Sequence, residues 1–176
     1  MLKSLIDFSW TLFLDRDGVI NTRSFGGYIQ RKSDFHFKEG VFDFLKFANN
    51  HFHKIVVITN QQGVGKNLMS LDCLNEIHNY MLTSIISNNG RIDKVYSAIN
   101  LKNDANNIRK PLSFMGYEAK KDFPTIDFSK SIMIGDTNSD LIFGKTLGMK
   151  TILVNSEENV TEIPDFQIDS LTELIF

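Results

Sequence analysis

Trp10-Thr11-Leu12-Phe13-Leu14-Asp15-Arg16-Asp17-Gly18 is a continuous apolar run that ends abruptly in two acids flanking an arginine. A short run without polar alternation is the pattern of a strand buried on both faces. Four more runs of this kind follow, at residues 55–59, 95–99, 131–135 and 151–154. Helix-period segments separate them. Val41, Phe44, Leu45 and Ala48 recur at helix spacing, and Leu74, Ile77, Met81, Ile85 and Ile86 do so more strongly. Residues 112–120 and 138–147 are shorter candidates, the second stopped by Gly148. Strands alternating with helices predict an α/β fold, a three-layer, doubly wound parallel sheet of Rossmann-like form. Such sheets place their active site beyond the carboxyl ends of the strands.

Four of the five strand ends carry concentrated polar chemistry: residues 15–18, 59–63, 100–110 and 135–140. Asp15 and Asp17 are two apart, so on extended chain they face the same side. Carboxylates that close repel, and a divalent cation relieves the repulsion; Mg²⁺ suits oxygen ligands. By itself the pair is equally a solvated turn. Asp136 and Asp140 lie about one helical turn apart after the fourth strand, where a capping acid is the plainer reading. Beside Asp15 and Asp17 they become candidates for the same metal site. Thr59 and Asn60 end a strand where backbone N–H groups come free, and a hydroxyl with such groups can hold phosphoryl oxygens. Arg109 and Lys110 precede Pro111 at a helix start and offer a planar fork and a point charge. Gly63-Val64-Gly65-Lys66 is not a nucleotide P-loop, because Asn60 and Asn67 stand where that motif needs Gly and Ser or Thr.

The bulk numbers agree with an ordinary globular chain. Its 176 residues fit one domain, taken as 1–176, and no linker or repeat divides it. A net charge of −2 gives no global field toward nucleic acid or membrane, so neither is an expected partner. No apolar run approaches a membrane span. Asp7 interrupts the apolar N-terminus, which reads as no signal peptide. The single Cys73 excludes an internal disulfide and suits a reducing cytosol, so a cytoplasmic location is expected. Cys73 reads as a packing residue. His36, His51, His53 and His78 show no ligand clustering, and the 15 phenylalanines read as core.

Together the four segments resemble the signature motifs of haloacid dehalogenase-like (HAD) phosphatases, in the right order and over nearly the whole chain. Residues 12–21 look like motif one, Thr59-Asn60-Gln61 like motif two, Lys110 like motif three and residues 135–140 like motif four. The resemblance implies that Asp15 attacks phosphorus and that Asp17 protonates the leaving oxygen and then activates water. Transport ATPases of the superfamily carry Thr at the latter position, so Asp17 implies a phosphatase. Mg²⁺ would bind the carboxylates of Asp15 and Asp136 and the backbone carbonyl of Asp17. Thr59 and Lys110 would hold the phosphoryl oxygens, and Asp140 would orient Lys110 or a metal-bound water.

Residues 15–21, 27–29, 37–40, 59–65 and 109–111 are similar to the heptose 1,7-bisphosphate and histidinol phosphatases, which lack a large cap domain. The implied substrate is a small phosphate ester, with Asn21, Asn60, Gln61, Lys66, Arg109 and the 23–32 loop selecting it. Two positions depart from the subgroup. Its members carry a zinc loop of Cys and His before Arg-Lys-Pro, whereas residues 100–108 hold neither, so no zinc is expected. Thr137 stands where many members have Lys after Gly-Asp. Two alternatives compete: a nucleic-acid 3′-phosphatase, which the charge disfavours, and a catalytically silent binding domain, which the intact acids and Lys110 disfavour.

Overall fold

The computed structural model describes residues 6–155 and 157–175. The predicted run ending at Asp15 forms β1 (Thr11–Leu14), and the other four form β2 (Lys54–Asn60), β3 (Lys94–Ala98), β4 (Ser131–Gly135) and β5 (Lys150–Val154). A sixth strand, β6 (Phe166–Ile168), was not foreseen. It has three residues and a mixed burial pattern, too short to show a period, and it completes the sheet edge by pairing with β5. All pairings are parallel, and the order is β3-β2-β1-β4-β5-β6. This is the doubly wound order, with its switch point at β1.

The strands are apolar throughout because both faces are covered. Leu12 and Leu14, with Ile55, Val57, Ile132 and Ile134, join one core. Facing them are α1 (Val41–His51) and α3 (Leu71–Ser87), which contribute Val41, Phe44, Leu45, Leu74, Ile77 and Met81. Phe13, Val56, Ile58 and Met133 point the other way. They pack on Met115 and Ala119 of α4 (Phe114–Asp122) and on Phe143 and Leu147 of α5 (Asn138–Leu147). The alternation follows from the two-residue period of a strand. A one-turn helix, α2 (Gln62–Gly65), follows β2 and was not predicted. The chain between Asn21 and α1 holds loops and a single 3-10 turn, Lys32–Asp34, so no large cap covers the strand ends.

Not every phenylalanine is core. Phe13, Phe35, Phe44, Phe52 and Phe143 are buried, but Phe8, Phe25 and Phe114 are exposed. His51 Nδ1 lies 2.8 Å from the Phe47 carbonyl at the end of α1. Cys73 is a half-buried free thiol. Among the described residues no helix is long and apolar enough to cross a membrane. The reading of the N-terminus falls partly on residues 1–5, outside the described ones.

Candidate active site

β1 is paired on both sides, Leu14 lying opposite Val57 of β2 and Ile134 of β4. The residues that follow these strands are therefore neighbours. Asp15 is anchored by its N–H, which donates to the Ile134 carbonyl at 2.9 Å. Asp136 continues β4 and is fully buried. Gly18 has φ +92, and a Cβ there would overlap the Asp136 carboxylate, so both the turn and the close approach require glycine.

One carboxylate oxygen each from Asp15, Asp136 and Asp140 lies within 4.8 Å of the others. Lys110 joins them: its Nζ is 2.7 Å from Asp15 Oδ1 and 2.5 Å from Asp140 Oδ1, and it donates to the Ile58 carbonyl at 2.7 Å. Burial pushes the Asp15 carboxyl up to about 8; Lys110 opposes the shift, and Asp140, Asp136 and Asp17 reinforce it. Burial and Asp140 likewise raise Asp136, to about 6, against the pull of Arg23. Burial alone would lower Lys110, but Asp140 and Asp15 outweigh it and keep the ammonium charged. Three crowded acids, with Asp15 and Asp136 resisting ionisation, beside the buried Lys110 ammonium are a donor set suited to a hard divalent cation.

Asp140 meets two sets of partners through different oxygens. Oδ2 accepts from Thr137 N–H at 3.1 Å and from Thr137 Oγ1 at 2.7 Å, closing a capping box at the start of α5. Oδ1 faces Lys110. Asp136 does not cap the helix; Thr137 does.

Asp17 lies outside the metal cluster through its carboxylate, which turns to other partners. Arg16 Nη2 donates to both of its oxygens at 2.9 Å, Asn21 Nδ2 to Oδ1 at 2.9 Å, and Gln61 Nε2 to Oδ2 at 2.7 Å. Burial would raise its carboxyl, but the Arg16 charge and these hydrogen bonds hold it below the ordinary range. Thr59 is buried, and its hydroxyl accepts from Gln61 Nε2 at 2.8 Å. Asn60 clasps the backbone of Lys110, accepting from its N–H at 2.9 Å and donating to its carbonyl at 3.1 Å. This clasp ties the β2 end to the segment after β3.

Asp15, Asp17, Thr59, Asn60, Gln61, Lys66, Arg109 and Lys110 all line one cavity of about 540 Å³, within the usual size range of small-ligand sites. Asn21 does not line it. That side chain is fully buried behind Asp17, where its length and amide suit the carboxylate rather than a ligand. Lys66 stands at the wall with its ammonium 5.4 Å from the centre of the Tyr28 ring. Arg109 has a buried Nη1 without a hydrogen-bond partner among the described residues.

Three residues escaped the sequence reading. Arg23 reaches Asp136 Oδ2 at 3.2 Å and Glu158 Oε1 at 3.1 Å, joining two loops across the cavity. Nothing in its neighbourhood marks it beyond membership of the 23–32 loop. Arg16 sits inside the Asp-Arg-Asp run and is fully buried, which its position between two acids could have signalled. His78 was grouped with the unremarkable histidines, but it is buried against Arg16. Its helix period places it on the core face with Leu74 and Ile77, and a core histidine with a polar partner was the signal available.

Comparison with known proteins agrees with this geometry. The model of the HAD-hydrolase-like family matches residues 107–174. A D-glycero-beta-D-manno-heptose-1,7-bisphosphate 7-phosphatase of Helicobacter pylori strain J99 is 31% identical over 174 residues, 97% of this chain and 98% of the relative. A D-glycero-alpha-D-manno-heptose-1,7-bisphosphate 7-phosphatase of Campylobacter jejuni is 32% identical, covering 84% of this chain and 83% of the relative. Among solved structures, D,D-heptose 1,7-bisphosphate phosphatase from B. bronchiseptica, complexed with magnesium and phosphate, has the same fold. The TM-score is 0.83 at 21% identity, over 94% of this chain and 96% of that one. With acids, lysine and threonine convergent at the strand ends and a relative matched almost end to end, the chain belongs to the haloacid dehalogenase-like hydrolases and is similar to heptose bisphosphate phosphatases among them.

Proposed function

We propose that this enzyme, a Mg²⁺-dependent phosphatase, removes one phosphate from a small sugar bisphosphate, with D-glycero-D-manno-heptose 1,7-bisphosphate the leading candidate. The observation that carries the reading is the Asp15–Lys110 pair at 2.7 Å on the cavity floor, with Asp136 beside it. In this reading Asp15 Oδ attacks phosphorus, forming an aspartyl phosphate as the leaving oxygen departs. Lys110 and the Thr59 hydroxyl hold the phosphoryl oxygens. Asp17, ionised in the free protein, takes up the proton that a phosphate monoester monoanion brings, passes it to the leaving oxygen, and then takes one from the water that cleaves the intermediate. Asp15, Asp136 and the Asp17 carbonyl would hold Mg²⁺, which supplies charge neutralisation at the phosphoryl group. Asp140 orients Lys110.

The second phosphate is the reason to favour a bisphosphate. Arg109, with its buried unpartnered Nη1, and Lys66 line the same cavity, so a second anion has donors available to it. Residues 100–108 carry no Cys or His, and zinc is no part of this reading. The loop is instead closed by its own hydrogen bonds: Asn107 accepts from Arg109 N–H at 2.9 Å and donates to the Lys102 carbonyl at 3.1 Å. A cytoplasmic site of action, with no nucleic-acid partner, belongs to the same reading.

The test is phosphate release with Mg²⁺ from heptose 1,7-bisphosphate, other sugar mono- and bisphosphates, histidinol phosphate and a 3′-phosphorylated oligonucleotide. The expected ranking puts the heptose bisphosphate first in kcat/KM. Preference for the oligonucleotide would move the assignment to nucleic-acid repair, and no turnover on any ester would leave a binding domain.

A further inference from the structure

Arg16 is fully buried although it carries a permanent charge. Burying a guanidinium is costly unless each face finds a partner. One face meets Asp17, with Nη2 at 2.9 Å from both carboxylate oxygens and Nε at 3.3 Å from Oδ1. The other meets His78, whose Nε2 is 3.2 Å from Nη1. The Phe35 ring packs 5.8 Å from the guanidinium carbon. Because every arginine nitrogen donates, His78 Nε2 must accept, which places its proton on Nδ1 and leaves the ring neutral. Burial, then the Arg16 charge, push the His78 imidazole down to about 4, in keeping with that state.

His78 lies on α3, 62 residues from Arg16 and away from the cavity lining. It contacts neither substrate space nor the metal cluster. Nothing about helix packing requires a histidine there, since its neighbours on that face are Leu74, Ile77 and Met81. Asn21 and Gln61 each donate to one oxygen of Asp17, whereas Arg16 reaches both oxygens from one nitrogen.

We propose that Arg16 and His78 are positioning residues for Asp17: His78 fixes the guanidinium, and the guanidinium fixes the carboxylate at the cavity wall in line for proton transfer. This rests on the acid–base role of Asp17. Acid–base catalysis needs the carboxyl within hydrogen-bond reach of the leaving oxygen and the attacking water, so a small displacement carries a large kinetic penalty.

The experiment is a double-mutant cycle on the full chain with Mg²⁺ and p-nitrophenyl phosphate. His78→Leu removes the acceptor, His78→Gln supplies another, and each is made with Asp17 and with Asp17→Asn. The expected result is a kcat lowered ~10- to 100-fold by His78→Leu, with KM little changed and the protein still folded at the assay temperature, its melting lowered because one buried Arg16 nitrogen loses its acceptor. His78→Gln restores most of the rate. In the Asp17→Asn background His78→Leu has no further effect. Arg16→Lys keeps the charge and loses the fork, and should reproduce the kcat loss; it also serves as the measurement if His78→Leu fails to fold. Normal kcat in both His78→Leu and Arg16→Lys, or an equal loss with and without Asp17, overturns the proposal while the role of Asp17 stands. Full activity of Asp17→Asn would instead remove the acid–base assignment itself.

Discussion

The floor of the cavity and its rim are built on different principles. On the floor, Asp15, Lys110, Asp136 and Asp140 are buried together: Asp15 and Asp136 follow directly from strands, Asp140 lies in the first turn of α5, and Lys110 pairs with Asp15 and Asp140. Each position is over-determined: Lys110 is held through its ammonium by Asp15, Asp140 and the Ile58 carbonyl and through its backbone by Asn60. At the rim, Arg23, Phe25, Lys66, Arg109 and Glu158 come from loops and short turns. The Arg23–Glu158 ion pair is partly exposed, with side chains at 29% and 42%. Exposed pairs contribute little stability. The floor thus fixes the chemistry, and the rim is free to vary with the substrate.

That difference predicts a graded series of effects. At the floor, Asp15→Asn should reduce turnover below ~1% of the parent while circular dichroism and melting stay nearly unchanged. Normal turnover would dissolve the distinction at once.

Lys110→Met should lose activity and also stability, by ~3 kcal/mol, because it strands two buried acids. A variant as stable as the parent would mean that the floor is not held by this ion pair.

The acids themselves make the floor sensitive to pH. The Asp15 carboxyl is raised from 3.8 to about 8, so the metal-free folded protein keeps a proton that the unfolded chain releases near pH 4. Its contribution therefore lowers stability progressively as pH rises from about 4 to about 8. Mg²⁺ competes with that proton. The rise in Tm on adding Mg²⁺ should be larger at pH 8 than at pH 5, and equal rises would contradict the clustered-acid account.

The smallest effect belongs to the rim. Arg109→Ala should raise KM for a sugar bisphosphate about tenfold, the loss of one charged hydrogen bond, and leave p-nitrophenyl phosphate unaffected. Equal losses on both substrates would place Arg109 with the floor.

The same division explains what could be read from the chain. Five of the six strands were visible because parallel strands covered on both faces are apolar throughout, and Asp15, Thr59 and Asp136 were visible because they end such runs. β6 was hidden by its three-residue length and edge position. Asn21 was placed with the substrate residues, but local sequence carries no sign of which way an amide turns, and it turns to Asp17. Arg23 with Glu158 and Arg16 with His78 are contacts across 135 and 62 positions, and tertiary pairs of loop or helix residues leave no periodic trace.

The central claim is that Asp15 carries the phosphoryl group. Rapid acid quench during turnover of a radiolabelled phosphate ester, followed by peptide mapping, tests it most directly. The account predicts an acyl phosphate on the peptide containing Asp15, absent from Asp15→Asn. Turnover at full rate with no labelled protein, or label on another side chain, would contradict it.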